Sequence, residues 1–388
     1  MGEWIGKGRK ARRAYGFDEI ALVPGTATIN PNEVNISWQL RDLKIEIPIL
    51  AAAMDGVVNS AFAIAMGKLG GLAVLNLEGV QTRYQNPEEV IDRIVKASGS
   101  ESTHFVQTVY SEPVKEDLIY QRIKEIKKHG VPAIVSAIPQ KAKRYGAIAQ
   151  EAGANIFVVQ ATVVTARHIS REYSNLDFSK FCKEMKIPII AGNCVTYEAA
   201  VELMATGIEA LLVGVGPGAA CTTRGVLGVG VPQVTATVDC SAARDFYFNQ
   251  SGRYVPIITD GGMSTGGDVC KAFACGADAV MIGSAFARSK EAPGRGYHWG
   301  MATPHAYLPR GTRIFVGTTG TLEEILYGPA VLDDGSQNLV GALRMAMGIC
   351  GARNIKEMHL TELIIAPAIK TEGKIFQKVQ RVGMGKAD

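Results

Sequence analysis

From Ile47 onward, short apolar runs alternate with longer stretches in which apolar and polar positions recur every three or four residues. The runs are Ile47–Ala52, Leu72–Asn76, Ala133–Ile138, Ile156–Gln160, Ile187–Ala191, Ala210–Val213, Val255–Thr259 and Ala279–Ile282. Runs this short and this apolar predict parallel strands covered on both faces. Between them Asn86–Lys96, Lys141–Ala152, Tyr197–Thr206 and Thr265–Cys275 carry the period of a helix with one buried stripe. Some end on a glycine just before the next strand, as in Ala152-Gly153-Ala154 and Cys275-Gly276-Ala277. Glycine suits the left-handed position that closes a helix.

Eight strands in βα alternation predict an α/β fold, a single-domain (β/α)8 TIM barrel. His104–Tyr110 complicates the count as a ninth apolar candidate, with a helical run Val114–His129 behind it. Residues 98–130 therefore read as an insertion or a shift of register. A doubly wound open sheet is the competing architecture. No G-x-G-x-x-G opens a helix with an acidic residue about 20 positions on, which speaks against it. Residues 1–45 form an irregular N-terminal extension with a basic cluster, Lys7–Arg13, and an extended stretch, Tyr15–Pro24. Residues 46–388 are the barrel. They include a Gly-, Pro- and His-rich flap (288–317), a helix over Ser336–Cys350 and an aperiodic tail, 366–388.

Composition narrows the class of protein. At 388 residues, 47% hydrophobic and 20% charged, the chain has ample core for a globular domain. A net charge of +4, with no polybasic run, gives no nucleic-acid face. Seven scattered cysteines without a C-x-x-C pair predict reduced thiols and no zinc site. No apolar h-region opens the chain and no apolar run reaches about 18 residues, so the expectation is cytoplasmic, with no membrane partner.

The most unusual stretch is Gly214-Val-Gly216-Pro-Gly218-Ala-Ala-Cys221-Thr-Thr223-Arg224, directly after an apolar run. Alternating glycines let a loop aim its carbonyls or N–H groups at one point. Cys221 stands at the tip, beyond a strand's carboxyl end, where α/β folds place their chemistry. Other stretches share that address. Thr259-Asp260-Gly261-Gly262 follows the seventh run and Gly283-Ser284 the eighth. Loops after the last two barrel strands commonly cradle a phosphate, and Asp260 can accept from two ribose hydroxyls. Asn193, in Ala191-Gly-Asn193-Cys-Val-Thr196, can hydrogen-bond a substrate. Met54, in Ala52-Ala-Met54-Asp55, and Gly300-Met301 can pack on a flat ring, or serve simply as core. Together these residues describe a nucleoside monophosphate held by phosphate and ribose, with a cysteine near its base.

The set A-x-M-D, G-N-x-x-T, G-x-G-x-G-x-x-C-x-T, D-G-G and G-S, in this order, resembles the inosine monophosphate dehydrogenase / guanosine monophosphate reductase family over roughly residues 10–375. The resemblance implies a catalytic Cys221, with Thr223 near the reacting carbon. It implies ribose and phosphate binding by Asp260, Gly261, Gly262, Gly283 and Ser284. It also implies IMP and NAD+ as ligands and a homotetramer. Potassium would be coordinated by the carbonyls of Gly216, Gly218 and Cys221, with Glu372 of the tail as the acidic residue that completes the site from a neighbouring subunit. The loops of Gln160, Thr162, Gly214 and Gly216 fall on the dinucleotide side.

Several features depart from the dehydrogenase pattern. The space between Asn76 and Ala133 is too short for the tandem regulatory module of the cystathionine-β-synthase (CBS) type. Gln160-Ala-Thr162 replaces Asp-Ser-Ser, and Ala219 stands where serine is common. The water-activating Arg-Tyr pair is missing from a shortened flap, which leaves Arg310 and Tyr307, ahead of His305, as its activators. Gly216-Pro-Gly-x-x-Cys-Thr-Thr-Arg224 is closer to the reductases, yet Thr303-Pro-His305 stands where they carry a catalytic glutamate. These departures match a dehydrogenase-related subfamily without the regulatory module. Oxidation of IMP with NAD+ is the leading expectation. Reduction of GMP with NADPH, a nucleotide-binding regulator and a flavin-dependent barrel remain open.

Overall fold

The computed structural model describes residues 2–98, 101–172, 175–301 and 312–386. Eight parallel strands close into a barrel: β1 (Ile49–Ala51), β2 (Leu72–Asn76), β3 (Ile134–Ala137), β4 (Ile156–Gln160), β5 (Ile189–Cys194), β6 (Ala210–Val213), β7 (Ile257–Asp260) and β8 (Ala279–Ile282). Closure is direct, with Val280 of β8 opposite Ile49 of β1. Each strand is one of the eight runs read from the sequence.

The continuous apolar runs resolve into two faces, because successive side chains on a strand point to opposite sides. Leu50, Val74, Ile134, Val158, Ile190, Leu212, Ile258 and Met281 fill the barrel's interior. Ile49, Leu75, Val135, Val159, Leu211 and Val280 face outward and pack beneath the helices. The interior core also takes in Trp38, Leu40 and Ile45, from a hairpin of Trp38–Leu40 and Leu43–Ile45. The extension is thus structured just before the barrel begins: this hairpin plugs one end. A further short strand, Ile20–Leu22, pairs antiparallel with Leu363–Ile365 and ties the start of the chain to its tail.

The ninth candidate is not a strand. Residues Glu101–Val109 form a helix, because Phe105, Val106, Val109 and Tyr110 share one face, four residues apart. Helices Pro87–Lys96, Glu101–Val109 and Glu116–Lys127 together span the crossover from β2 to β3. The tail likewise contains a helix, Ile375–Gln380, where no period was legible. No helix among the described residues is long and apolar enough to cross a membrane.

Candidate active site

The nominated residues gather at the carboxyl ends of the strands. Asp260 is the last residue of β7 and is half-buried. Its Oδ2 accepts from Asn193 Nδ2 at 2.8 Å and from Gln160 Nε2 at 3.1 Å. Gln160 Nε2 also lies 3.2 Å from Asn193 Oδ1, so residues from the ends of β4, β5 and β7 form one cluster. Burial pushes the Asp260 carboxyl up to about 6, against the opposing pull of the two amide donors. Below the cluster, the β4 and β5 loops are laced together: Val164 N–H donates to Asn193 O, and Asn193 N–H to Ala161 O. Thr162 lies between those bonds, half-buried. The Gly192–Asn193 peptide is cis.

The cysteine loop leaves β6 beside this cluster. Gly214 has φ +152°, and a Cβ there would stand 2.4 Å from Asp260 O. Gly261 (φ +83°) and Gly262 (φ +78°) back onto Pro217, where added Cβ atoms would come within 3.2 Å and 3.1 Å. The Gly214–Arg224 and Asp260–Gly262 loops therefore touch along their backbones, which only glycine permits. Gly216 (φ +75°) lies against the side chain of Arg224, whose Nη2 donates to Val231 O at 2.7 Å.

At the tip, Cys221 is exposed and its N–H donates to Gly218 O at 3.0 Å. Its thiol donates to Thr223 Oγ1 at 3.2 Å. Once the sulfur is ionised, the same hydroxyl can donate back to it. Thr223 is buried, at the start of a five-residue helix, Thr223–Leu227. Cys221 is a surface thiol held by a hydroxyl, whereas Cys240, Cys270 and Cys275 are buried.

On the other side of Asp260, Met54 Sδ would stand 2.9 Å from a Cβ on Gly283, so the first and last barrel loops are in contact. Ser284 Oγ lies 3.0 Å from Nε2 of His298, a fully buried residue in the strand Tyr297–Trp299. That strand and Arg313–Phe315 make an antiparallel hairpin at the base of the flap. Gly300 and Met301 continue from it, and Met301 Sδ lies 3.4 Å from the Tyr110 hydroxyl. Thr312 N–H, on the returning side, donates to Ala220 O beside Cys221. Arg310, Tyr307 and His305 lie outside the described residues.

His298 and Tyr110 were not legible from the sequence. Tyr110 OH donates to Asp55 Oδ2 at 2.6 Å and accepts from Trp299 Nε1 at 2.7 Å. Each partner comes from a different part of the chain, and no local motif announces such a contact. Glu372 stands in the tail, where its N–H donates to Ala368 O. Among the described residues no group of three or more His, Cys, Asp or Glu could hold a metal ion. The carbonyl set of the cysteine loop is the donor chemistry that suits a monovalent cation, and Gly218 O keeps a lone pair beyond its bond from Cys221.

The IMP dehydrogenase / GMP reductase domain matches residues 14–374. The chain belongs to that family. An uncharacterized oxidoreductase of Mycolicibacterium smegmatis is 37% identical over 93% of this chain and 99% of its own. The inosine-5'-monophosphate dehydrogenase of Methanocaldococcus jannaschii is 28% identical, covering 94% of this chain and 95% of its own. Among solved structures, an IMP dehydrogenase/GMP reductase-like protein from Corynebacterium glutamicum superposes with a TM-score of 0.88 at 34% identity, covering 93% of this chain and 96% of that one. The protein is therefore an IMP dehydrogenase / GMP reductase family oxidoreductase on a TIM barrel. In place of a CBS module it has the three-helix crossover between β2 and β3.

Proposed function

We propose that this protein oxidises IMP to xanthosine monophosphate with NAD+, through a thioimidate on Cys221. The observation that carries this is the exposed Cys221 thiol, 3.2 Å from Thr223 Oγ1, on a loop packed against the Asp260–Asn193–Gln160 cluster. Asp260 accepts from the ribose hydroxyls. Gly261, Gly262, Gly283 and Ser284 offer donors and close approach to the phosphate, and Met54, Gly300 and Met301 pack on the purine.

The Cys221 thiolate adds to C2 of the hypoxanthine ring. The C2 hydrogen then leaves as hydride, and the C2–N3 double bond re-forms as the thioimidate. NAD+ supplies the hydride acceptor, bound on the side of Gln160, Thr162, Gly214 and Gly216. Water adds to C2, the C–S bond breaks and the thiolate returns, so IMP, NAD+ and water give xanthosine monophosphate, NADH and a proton. Thr223 orients the water, and Arg310 or Tyr307 removes its proton. In the sequence Arg310 comes two residues before Thr312, whose N–H donates to Ala220 O.

The carbonyls of Gly216, Gly218 and Cys221, completed by Glu372 of a neighbouring subunit, would hold potassium. Exposed Ile375, Phe376 and Val379 on the tail helix favour the homotetramer that such sharing needs. The setting is cytoplasmic, in purine nucleotide synthesis.

The test is turnover followed by the absorbance of reduced nicotinamide, with IMP, NAD+ and potassium. Rising absorbance supports the proposal, and Cys221→Ala must then abolish turnover while leaving IMP binding intact. Falling absorbance with GMP and NADPH would instead support the reductase, which the form of the cysteine loop favours. Silence in both directions with IMP still bound would point to a regulator, and a yellow protein to a flavin enzyme.

A further inference from the structure

His298 is fully buried, and among the described residues only one of its ring nitrogens has a partner. Nε2 lies 3.0 Å from Ser284 Oγ, whereas Nδ1 has no hydrogen-bond partner among the described residues. Burial pushes the imidazole down to about 4, so the ring is neutral and carries a single proton. A neutral imidazole has one donor nitrogen and one acceptor nitrogen. With the proton on Nδ1, the protein would hide an unpaired N–H, the costlier orphan. With the proton on Nε2, only a lone pair is left unmatched.

The cheaper tautomer donates from Nε2 to a lone pair of Ser284 Oγ. It therefore prevents the serine from spending its own proton on the ring. The Ser284 hydroxyl is left to donate outward, beside Gly283 at the end of β8. In the opposite tautomer, Ser284 would donate to His298 and turn lone pairs outward, which repels an anion.

We infer that His298 is a positioning residue that makes Ser284 a hydrogen-bond donor to the phosphate of the bound nucleotide. This rests on the proposed nucleotide site and adds to it the residue that sets the hydroxyl's direction. His298 itself touches no substrate. Its effect is confined to ligands that carry the phosphate.

The test compares the affinities for IMP and for inosine, which lacks the phosphate, by calorimetry on the full chain. The wild type prefers IMP. His298→Leu reduces that preference about tenfold, the scale of one charge-assisted hydrogen bond, and leaves inosine affinity unchanged. His298→Gln, whose amide can still donate near the Nε2 position, restores most of the preference. Ser284→Ala lowers it as much as His298→Leu, and the double variant lowers it no further. Thermal denaturation identifies any variant that fails to fold, and the Gln and Ser284 variants then carry the test. An unchanged preference in foldable His298 variants overturns the inference, as does an equal loss for IMP and inosine. A wild type without preference for IMP over inosine takes down the nucleotide site itself.

Discussion

The Tyr110 hydroxyl donates to Asp55 Oδ2 across 2.6 Å, joining the crossover between β2 and β3 to the loop after β1. The same oxygen accepts from Trp299 Nε1 at 2.7 Å, so one phenol bonds both the loop that bears Met54 and the base of the flap. Tyr110→Phe keeps the ring in its apolar cluster and removes the oxygen. Trp299 then loses its acceptor, and Asp55 Oδ2 keeps its bond from Val80 N–H. The expected cost is about 1–3 kcal/mol of stability, read as a lower urea midpoint. A midpoint equal to that of the wild type would count against Tyr110 as a tie between these segments.

On the proposed reading, Asp260 should make nucleotide binding depend on pH. Its carboxyl rises from 3.8 to about 6 through burial, and only the ionised form accepts from two hydroxyls at once. Affinity for IMP should be flat above about pH 7 and fall toward tenfold per unit below about pH 6, as protons compete. For stability the sign is opposite. The native carboxyl binds its proton more tightly than the unfolded one, so its contribution is fully present below the unfolded value of 3.8 and is lost as pH rises through about 6. Asp260→Asn should therefore bind IMP more weakly, without the acid limb, and gain on the order of 1–3 kcal/mol of stability near neutrality. Titration calorimetry and urea unfolding over several pH values check both halves.

Gly214→Ala tests the contact between the cysteine loop and the end of β7. At φ +152°, with a Cβ placed 2.4 Å from a backbone oxygen, no side-chain movement relieves the clash. The loops must separate, at a cost of about 1–3 kcal/mol. IMP binding should weaken at least tenfold while the helical signal in circular dichroism persists. Unaltered binding would mean that the two loops do not act as one surface.

Arg313 anchors the flap base to the crossover. Its guanidinium donates to the carbonyls of Ile94, Val95 and Ala97, at the end of helix Pro87–Lys96. Beside it, Arg295 pairs with Asp92 at 2.6 Å. Arg313→Ala leaves those carbonyls uncapped and loosens the hairpin, which starts and ends the segment holding Tyr307 and Arg310. Turnover should drop about tenfold with a smaller loss of IMP affinity, since Asp260 is held on β7 whereas His298, the partner of Ser284, belongs to the loosened hairpin. Equal losses in both would place the flap in ground-state binding.

The barrel was legible because its strands are buried on both faces and each is bounded by turn chemistry. The cysteine loop and the Asp260–Gly262 turn were legible because their glycines alternate or adjoin within a few residues of chain. What escaped was non-local or very short. The plug hairpin has strands of three residues around Arg41 (φ +49°) and Asp42, too few to display a period. His104–Tyr110 looked like a strand because its apolar residues cluster, yet their four-residue spacing belongs to a helix. His298 gains meaning only from Ser284, fourteen residues earlier.

Asp260, Asn193 and Gln160 are carried on the strands themselves, so the hydrogen bonds that close the barrel also fix their mutual positions. The flap base is fastened to the helices between β2 and β3, and also to Ser284 through His298 and to Ala220 through Thr312. On the proposed reading, the strand ends and the flap base hold the nucleotide, and turnover falls to Arg310 and Tyr307, which come between the two flap-base strands in the sequence. A change at those two positions would then alter the fate of a captured nucleotide and leave its capture intact.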